Sequence, residues 1–416
     1  MITPSFSLTA CERVLPRLAL DFTTAVLDSR VTVTRATSAT NPATYSNSSG
    51  FITAATNNQP RFDYNPSTKI CRGLLIEESR ANLLTQTENF SGDPPWFKVD
   101  VSVSSGAAPS PDGGNNATKL RASATTNYHG ILQFYSTAAG VQYTQTVFAS
   151  KGEYNFLVLG LSFSGGGSQN IAWFNLNTGT IGTKTAVDAT TIEDWGNGIY
   201  RCSVTYTSAG TEYPWIAVSN ADGVRSFAGA VGGTSGIYIY GAQLELGAFA
   251  TSYIPTTTTS LTRNADVVTM TGTNFTDWYA SSSAALAAVV IPNTATGTRP
   301  IWQLDDTTAN EIIALRGNVA NPELYIVDNG TPQAQLDAGT ITATTQYGLC
   351  AAFTANSCAV SQNGATPVTT ATATMPTVTQ ARIGSDGSNF LNGAVRTLRY
   401  WPQRILNAEA QAFSKV

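Results

Sequence analysis

The period of the apolar residues constrains this chain most. Val141-Gln142-Tyr143-Thr144-Gln145-Thr146-Val147-Phe148 alternates apolar with polar residues, the pattern of a strand with one buried face. Tyr154 to Leu161 is a more continuous apolar run, and Ile171-Ala172-Trp173-Phe174-Asn175-Leu176 leads into the turn-forming Asn177-Thr178-Gly179. Tyr200–Tyr206, Trp215–Val218 and Gly236–Gly241 continue the series. The 3.6-residue period of a helix is absent from this region, so short strands joined by turns predict a β-sandwich, a jelly roll in particular.

Composition agrees. Charged residues make up 12 % of the 416, about half the roughly 25 % usual in soluble domains. Thr, Ser, Asn and Gly carry the polarity instead, which favours strands and turns. The 42 % hydrophobic and 10 % aromatic content is ample for real cores and excludes a disordered chain. The length suits two or three domains. A net charge of −4 without any basic run argues against nucleic acid as the partner. No apolar run approaches the ~20 residues of a membrane span, so no membrane insertion is expected. Leu8-Thr9-Ala10-Cys11 resembles a lipoprotein cleavage box but lacks the basic and apolar stretches before it. Synthesis in a cytoplasm is therefore expected.

Residues 1–82 contain only short alternating runs, such as Val31-Thr32-Val33-Thr34, between turn clusters. They are expected to form an extended anchoring or oligomerisation segment ordered by other chains. Residues 83–256 form the first sandwich. Ile254-Pro255-Thr256-Thr257-Thr258-Thr259-Ser260 reads as a linker, and 257–416 as a second sandwich. In that second block Asp328-Asn329-Gly330 and Gln362-Asn363-Gly364 predict type I′ hairpins. Leu406–Phe413 predicts one short helix with Asn407 as N-cap. The fold class is all-β: an extended N-terminal segment followed by two antiparallel sandwiches.

One stretch departs from this charge-poor background. Arg72-Gly73-Leu74-Leu75-Ile76-Glu77-Glu78-Ser79-Arg80-Ala81-Asn82-Leu83-Leu84 places two arginines and two glutamates among apolar residues, where the segment meets the first sandwich. Arg72 and Arg80 can neutralise Glu77 and Glu78 within the chain or across an oligomer axis. The cluster reads as a joint that selects one register of assembly.

Three stretches resemble bacteriophage fibre and spike proteins of the virion: Arg61–Pro66 with Arg72–Asn89, Gly241–Thr256, and Thr262-Arg263-Asn264-Ala265-Asp266. Asp194-Trp195-Gly196-Asn197-Gly198-Ile199-Tyr200-Arg201 is similar to a strand in the carbohydrate-binding-module-like jelly rolls of such fibres. Arg382–Trp401 resembles the last strands of a concanavalin/laminin-G-like sandwich. The resemblance implies a virion structural subunit, head or tail, often a homotrimer, contacting other virion proteins and host-surface glycan. It also implies that structural calcium is an option, with Asp112-Gly113 and Asp386-Gly387 as the loops concerned; no other cofactor is expected.

Candidate sugar-stacking residues are Trp173, Trp195, Tyr213 and Trp215, because aromatic faces cover the apolar faces of pyranose rings. Core packing is the competing reading for each. His129 is the single histidine and no G-x-S-x-G motif accompanies it, so no catalytic triad is expected. Five cysteines without CxxC spacing read as buried thiols, although Cys350 and Cys358 could meet across a hairpin. A polysaccharide depolymerase needs paired carboxylates. Glu193 with Asp194, or Asp305 and Asp306 with Glu311, are the candidates. A capsid decoration protein that binds nothing is the third reading.

Overall fold

A computed structural model describes residues 15–162, 170–210, 212–280 and 283–416. Cys11 and the Leu8–Cys11 box lie outside the described residues. The chain is almost entirely antiparallel strand, arranged as two sandwiches. Among the described residues no helix is long and apolar enough to cross a membrane.

The first sandwich is built from two six-stranded sheets. One runs Ala189–Asp194, Ile199–Thr207, Gln142–Lys151, Gly236–Leu246, Ala117–Ala122, Val101–Ala108. The other runs Thr180–Thr185, Ile171–Asn175, Phe156–Ser162, Tyr213–Ser219, Gly130–Leu132, Phe97–Val99. Period-two patterning sends Val147, Val204, Ile239 and Leu244 inward from the first sheet to meet Leu157, Leu159, Phe174 and Ile216 from the second. A bulge interrupts the central pair: Thr146 opposes Gln243 but Phe148 opposes Tyr240. Gly241, at φ 60°, accommodates the extra residue, and Ala242 and Leu244 stay in the core.

The second sandwich holds the main surprise. Its larger sheet runs Val368–Thr370, Ser357–Gln362, Tyr347–Thr354, Ala284–Pro292, Gly393–Trp401, and then Cys71–Ile76 and Phe62–Tyr64 from the N-terminal segment. Leu18–Asp21 also pairs with Gly393–Trp401. In the facing sheet Thr32–Thr34 forms the edge beside Val267–Thr271. Leu18, Leu20, Phe22, Val31, Val33, Leu74 and Ile76 are buried in the same core as Leu286, Trp302 and Tyr400. The expectation of an extended segment ordered by other chains is corrected: four of its described strands complete this chain's own C-terminal sandwich, while Thr44–Ser46 pairs with Ile52–Ala54 and Arg80–Asn82 with Leu261–Arg263. Strands this short bury too little alone and are held by long-range pairing.

The 254–260 stretch is corrected as well. It is a strap bonded to the first sandwich rather than a free linker. Ile254 donates its N–H to Gln243 Oε1 (2.6 Å), Thr256 Oγ1 donates to the Leu84 carbonyl (2.7 Å), and the Thr257 carbonyl accepts from Gln86 N (2.6 Å). Leu261–Arg263 then pairs with Arg80–Asn82.

The tight hairpin at Asn329-Gly330 forms, with Asn329 at φ 52° and Asp328 opposite Thr331. Asn363, at φ 49°, makes a turn closed by Ala365 N–H to the Gln362 carbonyl (2.8 Å), but pairing starts only at Val360 with Val368, so that hairpin has a longer loop than expected. The helix is Asn407–Phe413, but Leu406 is its N-cap: the Leu406 N–H bonds Glu409 Oε2 (2.7 Å). Asn407 Oδ1 accepts from Arg404 instead, so its side chain is not free to cap. The helix covers Ala285, Ala287, Cys350 and Ala352, and Phe413 stacks on Trp401. Cys350 therefore lies under the helix while Cys358 lies in the main core, on the other side of the sheet. They do not meet; Cys71, Cys202, Cys350 and Cys358 are free, buried thiols.

Each buried apolar side chain contributes about 1.5–3 kcal/mol. The N-terminal strands thus supply on the order of 10 kcal/mol, as much as a whole domain's net stability. Residues 262–416 expressed alone are expected to show no cooperative thermal transition, whereas 15–416 retains one. Calorimetry checks this, and a native-like transition in the fragment would contradict the topology.

Candidate functional site

The outer face of the first sheet is polar by alternation. Thr144, Thr146 and Phe148 point away from the core beside Thr205, Ser203 and Arg201, and these lie beside Ala189, Thr191 and Glu193. The hydroxyls of this face are largely buried, and Phe148 packs there with Ile199, Tyr240 and Tyr253. The face forms one wall of a cleft of about 960 Å³ between the two sandwiches. The opposite wall comes from the N-terminal strands, including Ser46, Asp63 and Arg72, and from Asn293, Thr296 and Arg396 of the second sandwich. Thr251, Ser252 and Tyr253 close one side.

Arg72 spans the cleft. Its Nη1 reaches Asp63 Oδ2 at 3.2 Å and its Nη2 reaches Glu193 Oε1 at 2.5 Å, linking the two sandwiches. Asp63 also accepts the Ser46 N–H (3.0 Å). Burial pushes the Asp63 carboxyl up in spite of Arg72. Burial acts the same way on Glu193, but the Arg72 guanidinium outweighs it and holds that carboxyl down. Trp195 donates its indole N–H to Glu193 Oε2 (3.1 Å), and its ring meets Phe148 edge-on at 4.8 Å. Asp194, also at the cleft, accepts from the Ser67 hydroxyl (2.8 Å) and the Gly196 N–H (2.8 Å). Arg201 lies over the Phe148 ring and donates to the Thr251 carbonyl (2.6 Å).

Behind the cleft lies a fully buried ion cluster. Arg61 pairs with Asp266 and with Glu77 (2.8 Å), Arg35 pairs with Asp266, and Arg263 lies 3.3 Å from Glu77. Ser252 donates its N–H and hydroxyl to Glu77 (2.8 and 2.7 Å). Burial alone would raise the Glu77 pKa; Arg263 and Arg61 reverse this and bring it to about 2. Of the four expected joint residues, Glu78 and Arg80 do pair, at 2.6 Å. Arg72 and Glu77 pair elsewhere, which corrects that part of the expectation: Arg72 leaves its strand toward the cleft, while Glu77 follows the strand end into the ion cluster. Arg35, Arg61, Arg263 and Asp266 received no role from sequence. For Arg61, Arg263 and Asp266 the signal was weak but present, charges in a charge-poor chain within stretches already singled out; Arg35 lies outside those stretches.

The four candidate aromatics separate. Only Trp195 lines the cleft. Trp173, Trp215 and Tyr213 share the outer face of the other sheet of the first sandwich. Trp173 is buried, its indole N–H on the Val224 carbonyl (3.0 Å), and Trp215 is buried beside Leu132 and Ala217. Tyr213 meets Phe134, which meets Phe97; both phenylalanines are exposed and were missed from sequence.

The remaining candidates have structural partners. The buried His129 ring nitrogens lie 2.7 and 2.8 Å from the carbonyl oxygens of Asp100 and Phe227. Asp305 accepts from Gln303, Gln380, Arg382 and the Thr307 N–H; Asp306 accepts from Thr308; Glu311 accepts from the Asn329 and Thr377 N–H groups. Asp112 and Asp386 each close a turn by accepting local donors, Gly114 N and Asn116 in one and Ser388 N and Asn389 in the other. One carboxylate per loop, already bonded, does not fit a calcium ion. Among the described residues no group of three or more His, Cys, Asp or Glu is placed to hold a metal.

No protein-family profile and no curated protein matches the sequence. Two solved structures are similar in part. The sialidase carbohydrate-binding module CBM40 of Ruminococcus gnavus, bound to α2,3-sialyllactose, covers 32 % of this chain and 84 % of its own, at 10 % identity and TM-score 0.29. Domains LG4-5 of the mouse laminin α1 chain cover 76 % of this chain and 92 % of their own, at 12 % identity and TM-score 0.21. At these scores neither overlay bears on which residues bind.

Glu77→Gln leaves three buried guanidiniums short of one charge and is expected to cost about 3–5 kcal/mol in urea unfolding. The wild type carries its own pH signature. Glu77 is ionised in the folded chain down to a pKa of about 2, below its ordinary 4.5. Its stabilisation is therefore complete above pH 4.5 and lost as pH falls toward 2. Unfolding midpoints of the wild type should fall over that window, and those of Glu77→Gln should fall less.

Proposed function

We propose that this chain is a non-enzymatic structural subunit of a phage particle, a head fibre, spike or tail fibre, that adsorbs host-surface glycan. The observation that carries the glycan reading is the cleft. An aromatic ring, Trp195, stands among charged, amide and hydroxyl-bearing side chains (Glu193, Arg201, Asn293, Thr191) in a space large enough for several sugar units. Saccharides need that mixture of an apolar ring face and many short polar partners. The particle reading rests on the sequence resemblance at Arg61–Pro66 with Arg72–Asn89, at Gly241–Thr256 and at Thr262–Asp266. Its attachment would use surfaces other than the strands already committed to the C-terminal sandwich. A homotrimer would multiply weak single sites into useful avidity.

A depolymerase is the second reading. One observation favours it: Asp63 and Glu193 face one cleft with pKa values moved in opposite directions. Against it, both carboxylates are engaged by Arg72.

Trp195→Ala is expected to weaken retention on host capsule or lipopolysaccharide about tenfold with the thermal midpoint little changed. New reducing ends during incubation would replace the binding reading with the depolymerase one. Silence across a glycan array, with the protein stoichiometric on purified particles, would leave a decoration role. Native mass tests the trimer.

A further inference from the structure

The chain contains four Asn-Gly pairs, at 197–198, 329–330, 363–364 and 392–393. Asn-Gly is the dipeptide most open to self-modification, because glycine lacks the Cβ that would hinder its backbone nitrogen from turning back on the asparagine amide. The fold restrains three of the four nitrogens or their asparagines. Gly330 N–H donates to the Asn310 carbonyl at 3.0 Å, and Gly364 N–H donates to Ser414 Oγ at 2.9 Å. Asn392 is fully buried, with its amide bonded to Glu78 on both sides, and Gly393 lies within a strand.

The pair at 197–198 has none of these restraints. Asn197 is exposed, and among the described residues neither its side chain nor the Gly198 N–H has a hydrogen-bond partner. The turn is held outside this peptide, by Ile199 N–H to the Gly196 carbonyl (3.0 Å) and Trp195 N–H to the Ile199 carbonyl (2.9 Å). Nothing lies within 4 Å of a Cβ placed on Gly198. The Gly198 N–H therefore has no hydrogen bond of its own to break when it turns toward the Asn197 side chain.

We propose that Asn197 is the chain's site of spontaneous deamidation. The Gly198 backbone nitrogen attacks Asn197 Cγ; a C–N bond forms, and the side-chain nitrogen leaves as ammonia, taking up the proton released from the backbone N–H. Water then adds to either carbonyl of the resulting succinimide, opening it to aspartate or to isoaspartate. No oxidant, reductant or enzyme is required. The product puts a carboxylate two residues from Trp195 and close in sequence to Glu193 and Asp194, making the formal charge one unit more negative than −4. Isoaspartate also adds a methylene to the backbone of the turn that carries Trp195. Weakened capture of saccharide by the aged protein is a consequence that rests on the saccharide reading of the cleft; the chemistry does not.

The test is incubation of the full-length protein at mildly alkaline pH, with peptide mapping by mass spectrometry. The folded protein should convert at Asn197 at least about tenfold faster than at Asn329, Asn363 or Asn392. The chain unfolded in guanidinium should convert at all four with comparable rates. Asn197→Gln should abolish the early acidic variant on ion exchange. The proposal is overturned if any other pair keeps pace with Asn197 in the folded protein. It is equally overturned if Asn197 stays intact for as long as the unfolded chain takes to convert.

Discussion

The structure depends on placing charges where water does not reach. Arg61 reaches Asp266 and Glu77 at once, and Arg35 and Arg263 complete the cluster. These residues come from three distant parts of the chain, and each would be costly to bury alone. A buried guanidinium tolerates few alternatives, so the first strands, the joint after Ile76 and the start of the second sandwich must arrive together. The apolar strands supply most of the burial energy. The ion cluster decides which strands meet.

The same requirement shapes the cleft. The outer face of the jelly-roll sheet mixes the buried hydroxyls of Thr144, Thr146, Ser203 and Thr205 with an apolar cluster of Phe148, Tyr240 and Tyr253. It meets the N-terminal strands and residues 251–253 through both polar and apolar contacts, and the space left over holds Arg72, Glu193 and Trp195. Arg72 ties the second sandwich to the first by ion pairs at partly exposed positions, where such pairs are weak and exchangeable. Rigid joint and adaptable cleft are thus adjacent, and a single strand, Cys71–Ile76, leads into both.

Much of the local structure was legible in sequence. Alternation at Val141–Phe148 and the apolar run Ile171–Phe174 marked strands, though the structure buries both faces of each, and Asn329-Gly330 marked a hairpin, because each depends on neighbours in the chain. Trp195 was legible as a candidate, and so was the charge cluster at Arg72–Arg80. Their partners were not. Nothing local to Glu77 indicates Arg263, or local to Arg72 indicates Glu193, since those pairings follow from strand order across the sandwiches. Trp173 and Trp215 illustrate the same gap. They have the same composition signal as Trp195, yet one sheet face buries them and another leaves Trp195 in a cleft.

Sequence alone therefore determined the class of this protein, all-β sandwiches with polar surfaces, because period-two burial and turn chemistry act over a few residues. Tertiary structure decided that the N-terminal strands belong to the C-terminal sandwich, which charges neutralise one another, and which tryptophan faces the cleft. The physical reason is range. Side-chain alternation is set by adjacent backbone geometry, whereas the buried charge cluster and the sheet order also need residues far apart in the chain, such as Glu77 with Arg263 and Leu18 with Tyr400.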